Sequence, residues 1–132
     1  MEHNLFYDGT KKKFSWIIQT DNQMRKESRE HPPAYISGYK LNIKNDDESK
    51  FVALHVGIYW SLGVFIIKDG DTVNVMCDSK KMYELLRTRR KTSNEIFNDK
   101  IHFINDLLER RKLVVNYHLI DNDKNIASSL IR

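Results

Sequence analysis

Val73-Asn74-Val75-Met76-Cys77-Asp78-Ser79 decides the fold. Val73, Val75 and Cys77 alternate with Asn74, Met76 and Asp78, the two-residue period of a strand that buries one face. The strand ends on a carboxylate, and residues 79–87 continue with a helical pattern. Nearer the start, Asn4-Leu5-Phe6-Tyr7 is a second strand that also ends on a carboxylate, Asp8, followed by Gly9. Two strands that each deliver an aspartate to their ends are what a divalent-metal phosphodiester site needs.

Working outward, residues 14–20 form a second strand that turns back on the first as a hairpin. Residues 21–33 are polar, end in His31-Pro32-Pro33, and read as a loop or hairpin extension. Residues 34–43 alternate well enough for a third strand. Asn45-Asp46-Asp47-Glu48 supplies capping and acidic groups for a helix over 49–62. The fourth strand covers 72–77 and the second helix 79–87. A basic break, Arg87-Thr88-Arg89-Arg90-Lys91, precedes a long helix over 94–111, whose Phe97, Ile101, Ile104 and Leu108 recur at helical spacing. A fifth strand over 113–117 and a short helix over 124–132 complete the chain. The order βββ-α-β-α-α-β-α implies an α/β fold: a mixed five-stranded sheet, its first three strands antiparallel, flanked by helices.

The totals agree with one domain spanning 1–132. The 132 residues are 40% apolar and 30% charged with few Gly and Pro, a globular composition with enough apolar material for a core. A net charge of +4 is a mild basic bias that permits a nucleic-acid partner without demanding one. The single cysteine, Cys77, lies inside a strand and reads as a buried thiol, so neither a disulfide framework nor a zinc site can be built. The apolar run over 51–67 is interrupted by His55, Gly57 and Gly63 and is shorter than the ~18 residues a membrane span needs. With no signal-peptide pattern at the start, the expectation is an intracellular protein, cytoplasmic if prokaryotic, with no membrane partner. Gly-rich phosphate loops, Cys/His zinc spacings and Gly-x-Ser-x-Gly elbows are missing, which removes nucleotide kinases, zinc modules and serine hydrolases.

The order of elements, with Leu5-Phe6-Tyr7-Asp8-Gly9, Ser37-Gly38-Tyr39, Val75-Met76-Cys77-Asp78-Ser79, Val115-Asn116-Tyr117-His118 and Ala127-Ser128-Ser129-Leu130, resembles the type 1 ribonuclease H domain over essentially its whole length. The resemblance implies four acidic residues holding two Mg²⁺ or Mn²⁺ ions roughly 3.5–4 Å apart, for cleavage of RNA in RNA–DNA hybrids. Asp8 and Asp78 match the first and third acids. The second is a glutamate opening the first helix, in the pattern Glu-aromatic-x-Ala-Leu-x-x-Gly-apolar. Lys50-Phe51-Val52-Ala53-Leu54-His55-Val56-Gly57-Ile58 fits that pattern with lysine in the glutamate's place. A rival register puts Glu48 there; Glu48 and Lys50 lie about 200° apart around a helix and cannot both face one site. The fourth acid falls on Ser128, with Asp123 within reach only by an unusual loop path.

What the resemblance then implies is a degenerate acidic site, in which Lys50 supplies positive charge that a metal otherwise would, and a nucleic-acid-binding domain with little or no cleavage. Two alternatives stay open: an active endonuclease using Asp8, Glu48 and Asp78, and a protein-interaction domain on the same fold. Arg87, Arg89, Arg90 and Lys91 occupy the place of the family's basic substrate-binding protrusion, suited to the phosphates of RNA–DNA hybrid or duplex RNA. His118 matches the family's histidine loop. Each residue also has an ordinary role to weigh: Asp78 as a helix N-cap, Asp8-Gly9 as a hairpin turn, His118 as a solvated strand end.

Overall fold

A computed structural model describes residues 1–31 and 43–132. Its sheet has five strands: β1 (Glu2–Gly9), β2 (Lys13–Thr20), β3 (Gln23–Glu30), β4 (Thr72–Cys77) and β5 (Val114–Leu119), in the order β3-β2-β1-β4-β5. β1, β2 and β3 pair antiparallel, and β4 and β5 join parallel to β1 and to each other. Three α-helices are described: α1 (Asp46–Gly63), α2 (Lys80–Thr88) and α3 (Glu95–Arg110). The chain closes with two 3₁₀ turns, Asn122–Lys124 and Ile126–Leu130.

A strand runs through the stretch expected to be a loop or hairpin extension. β3 is the polar stretch Gln23-Met24-Arg25-Lys26-Glu27-Ser28-Arg29-Glu30, almost wholly exposed. It is an edge strand facing water on most sides, so it carries charges instead of a buried apolar face, a composition that also discourages pairing with other chains. The two-residue turn Asp21-Asn22 connects it to β2, with Asp21 in the left-handed region at φ 52°, which Asp tolerates. The strand expected over 34–43, with Ser37-Gly38-Tyr39, lies outside the described residues except for Ile43, which is in no strand. The closing helix expected over 124–132 is likewise only the two 3₁₀ turns. Asn125 sits between them and caps the second, its side chain accepting from Ala127 N.

One face of the sheet carries the core. Leu5 and Tyr7 of β1, Phe14, Trp16 and Ile18 of β2, and Val73, Val75 and Cys77 of β4 pack against Phe51, Leu54 and Ile58 of α1, Leu85 and Leu86 of α2, and Ile104 and Leu108 of α3. Each of these residues is at most 6% exposed. At roughly 25 cal/mol per Å² of apolar area removed from water, this cluster is the main stabilising term. Burial pushes the Cys77 thiol up to about 11, so it packs as a small apolar group. The closing 3₁₀ turn lies against β1, β2 and β3. No described helix is long and apolar enough to cross a membrane.

Candidate functional site

Three local features seat α1 against β1 and β2 with its first turn near the end of β1. Asn45 caps the helix by accepting from Glu48 N at 2.9 Å, and Asp46, Asp47 and Glu48 suit the positive end of its dipole. Phe51, Leu54, Ile58 and Leu62 press its apolar stripe onto the sheet. Gly9 then lets the first turn approach: a Cβ there would stand 2.7 Å from the backbone nitrogen of Lys50. Lys50 is thereby aimed at the strand ends.

The result is a closed ion cluster. Lys50 Nζ donates to Asp78 Oδ1 at 2.9 Å and lies 3.7 Å from Asp8 Oδ1. Arg132 straddles Asp8, donating from Nε to Oδ2 at 3.0 Å and from Nη2 to Oδ1 at 3.2 Å. Ser128 Oγ donates to Asp8 Oδ2 at 2.6 Å and the Gly9 amide to Oδ1 at 2.8 Å. Asn125 Nδ2 takes the remaining oxygen, Asp78 Oδ2, at 2.9 Å and also reaches Tyr7 O at 2.8 Å. Asp8 is 1% exposed. Burial by itself would raise its carboxyl; the hydrogen bonds from Arg132, Ser128 and Gly9, with the Lys50 charge, outweigh it and hold the carboxyl below the usual range.

The remaining sequence-derived candidates sit apart from this cluster. Glu48 is buried, but its oxygens accept from Lys44 N at 2.9 Å and Asn94 Nδ2 at 2.8 Å, joining the starts of α1 and α3. His118 is exposed on β5, with Nε2 3.4 Å from Asn74 Oδ1. Asp123 is exposed in the first 3₁₀ turn. The cap of α2 is Ser79, which accepts from Met82 N at 3.3 Å, so Asp78 is free for the cluster. Arg132 and Asn125 were missed in the sequence. Arg132 had one available signal, its place four residues after Ser128; an asparagine before a short terminal turn carries none.

A divalent ion does not fit this donor set. All four oxygens of Asp8 and Asp78 already accept from the protein, and two cations balance two carboxylates, so an incoming Mg²⁺ would meet a neutral site. Among the described residues no group of three or more His, Cys, Asp or Glu side chains could hold a metal.

The basic break after α2 is an irregular connection to α3. Arg89 closes the helix in the left-handed region, φ 55° and ψ 27°. Asn98 of α3 clamps Thr92 from both sides, accepting from its N at 2.9 Å and donating to its O at 2.8 Å. Arg87 lies over the Tyr83 ring at 4.9 Å, and Arg89 pairs with Glu109 at 3.2 Å. Among the described residues Arg90 and Lys91 have no acidic partner. Together with Asn98, His102 and Asn105 they line a notch of about 230 Å³.

No protein-family model matches the chain, and no curated protein does. Solved structures match along nearly its whole length. A ribonuclease H1 from the halophilic archaeon Halobacterium salinarum superposes with a TM-score of 0.76 at 12% identity, covering 98% of this chain and 94% of that one. The fold is that of ribonuclease H. The N-terminal ribonuclease H domain of a Mycobacterium tuberculosis protein, solved as a fusion with maltose-binding protein, gives 0.73 at 14% identity over 98% and 89%. LC11-RNase H1 in complex with an RNA/DNA hybrid gives 0.64 at 13% identity over 98% and 91%. The order β3-β2-β1-β4-β5 with three helices is that of this fold.

Proposed function

We propose that this ribonuclease H-like domain binds nucleic-acid duplex, RNA–DNA hybrid or duplex RNA, through its phosphates and does not cut it. The observation that carries this reading is the ion cluster. Lys50 and Arg132 hold the two aspartates as ion-paired, hydrogen-bonded groups and already supply the positive charge that a metal would bring. Losing positioned metal charge removes several kcal/mol of transition-state stabilisation, and each 1.36 kcal/mol is about tenfold in rate. On the binding side, Arg90 and Lys91 have no acidic partner among the described residues, and the segment that carries them is tied to α3 by the Asn98–Thr92 hydrogen bonds, which supports phosphate contact there. That a structure of the same fold holds an RNA/DNA hybrid supports the choice of duplex.

Two measurements test this. In a hybrid-cleavage assay with Mg²⁺ or Mn²⁺, wild type stays uncut at the level of Asp78→Asn, and Lys50→Glu/Ser128→Asp gains activity; robust wild-type cutting abolished by Asp78→Asn overturns the reading in favour of an active endonuclease. In hybrid titrations at several salt concentrations, affinity falls steeply with salt, and Arg90→Ala/Lys91→Ala flattens the logarithmic salt slope by roughly 1–2. Absence of binding at low salt would point to a protein-interaction domain instead.

A further inference from the structure

At the opposite end of β1 from the ion cluster, three side chains form a relay that neither the cluster nor the basic segment uses. His3, near the start of β1, is 1% exposed. Its Nε2 lies 2.8 Å from Asp71 Oδ2, and its Nδ1 lies 2.6 Å from Thr20 Oγ1 at the end of β2. Asp71, just before β4, is itself held from several sides. Oδ2 also accepts from Lys68 N at 2.9 Å, and Oδ1 from the terminal ammonium at 3.4 Å. Its backbone N donates to Lys68 O at 3.0 Å, and its O accepts from Val114 N at 2.9 Å.

An ionised carboxylate only accepts, so the Nε2 that faces Asp71 carries a proton, and a neutral imidazole then presents its Nδ1 lone pair to Thr20. The Thr20 hydroxyl therefore donates to a base that a buried carboxylate orients, the nucleophile–base–orienter arrangement of covalent acyl transfer. Thr20 and Asp71 also line a pocket of about 200 Å³, with Ile18 and Ile66 as apolar wall and Arg25 and Lys68 as cations. Neither cation has an acidic partner among the described residues. Phe65, on the same pocket, is 76% exposed and held at φ 63°, a left-handed conformation that bulky residues rarely adopt. Backbone strain of this kind gathers at ligand sites. A small apolar cleft with a few convergent polar groups is the anatomy of a small-molecule site.

We propose that this pocket is a second active site, in which Thr20 takes the acyl group of a small carboxylic ester. Attack of Oγ1 on the ester carbonyl forms a C–O bond while its proton passes to His3 Nδ1. The carbonyl oxygen gains the electron pair and the negative charge, which Arg25 and Lys68 stabilise. Collapse breaks the bond to the leaving alkoxide, which takes the proton from Nδ1. Water then attacks acyl-Thr20, giving its proton to Nδ1; that proton returns to Thr20 Oγ1 as the carboxylic acid departs. Asp71 is a positioning residue that fixes the ring and its tautomer. No residue of the duplex interface takes part, so the site is tested without nucleic acid.

The experiment gives the full chain 4-nitrophenyl acetate, follows release of 4-nitrophenolate, and maps the acetyl group in acid-quenched protein by peptide mass spectrometry. The expected result is a burst of 4-nitrophenolate with the acetyl group on Thr20, retained in Thr20→Ser and absent in Thr20→Val. The wild-type map decides by itself even where a variant does not fold. Asp71→Asn, whose amide donates to Nε2 and moves the ring proton to Nδ1, should lower kcat about a hundredfold or more with KM unchanged. A purely structural Asp71 would not separate the two constants. Arg25→Gln/Lys68→Gln should lower kcat about tenfold or more through the lost oxyanion charge. Acetylation confined to lysines and the terminal amine, a Thr20→Val protein that releases 4-nitrophenolate at the wild-type rate, or an Asp71→Asn protein with unchanged kcat overturns the proposal.

Discussion

Replacing Lys50 by methionine removes a cation from between two buried carboxylates while keeping most of the side-chain volume. In the native cluster Asp8 and Asp78 are balanced by Lys50 and Arg132, and the Lys50 and Asp78 side chains are only 11% and 4% exposed. Unit charges 2.9 Å apart attract by about 6 kcal/mol at an effective dielectric near 20, before any desolvation cost. Removing one partner of such a pair strands the other, and the net loss is about 3–5 kcal/mol. For a domain of this size that lowers Tm by roughly 10–15 °C. Urea unfolding followed by tryptophan fluorescence at pH 7 gives the free-energy loss directly. The control is Lys50→Met/Asp78→Asn, which removes the stranded charge together with the cation and should recover at least half of the loss, because no uncompensated charge is then left buried. A Lys50→Met loss below about 1 kcal/mol, or a double variant as unstable as the sum of its parts, would refute the argument that the cluster is an electrostatic closure.

Gly9→Ala places a Cβ 2.7 Å from the Lys50 backbone nitrogen, so α1 must shift off the strand ends; a loss of about 1–3 kcal/mol in denaturant unfolding is expected, and an unchanged midpoint would show that the approach is not tight. His55 has a folded value of about 4 against an ordinary 6.5, so the unfolded chain takes up the proton first. Its contribution to stability is complete above pH 6.5 and is lost as pH falls from 6.5 towards 4. Unfolding free energies measured at pH 7 and pH 5 should therefore differ less in His55→Phe than in wild type.

Much of the fold was legible because its signals are local. The alternation of Val73, Val75 and Cys77, the spacing of Phe97, Ile101, Ile104 and Leu108, and the Asn45 cap each depend on residues a few positions apart, and β4 runs over the residues expected. The mixed five-stranded sheet followed because connections through helices leave few topologies, whereas its order β3-β2-β1-β4-β5 came from the structure. β3 was illegible for the same reason: an edge strand in water buries neither face, so Gln23–Glu30 shows no period, and only its pairing with β2 makes it a strand. That Asp8 and Asp78 end their strands was likewise readable in the chain. What surrounds them was not, because Arg132 and Asn125 reach them across 124 and 47 residues of sequence and spacing carries no information at that range. Asp8, Lys50 and Asp78 are chemistry-bearing residues in any sequence; whether their charges cancel is decided by ångström distances that exist only after β1, β4, α1 and the C-terminal turn have packed.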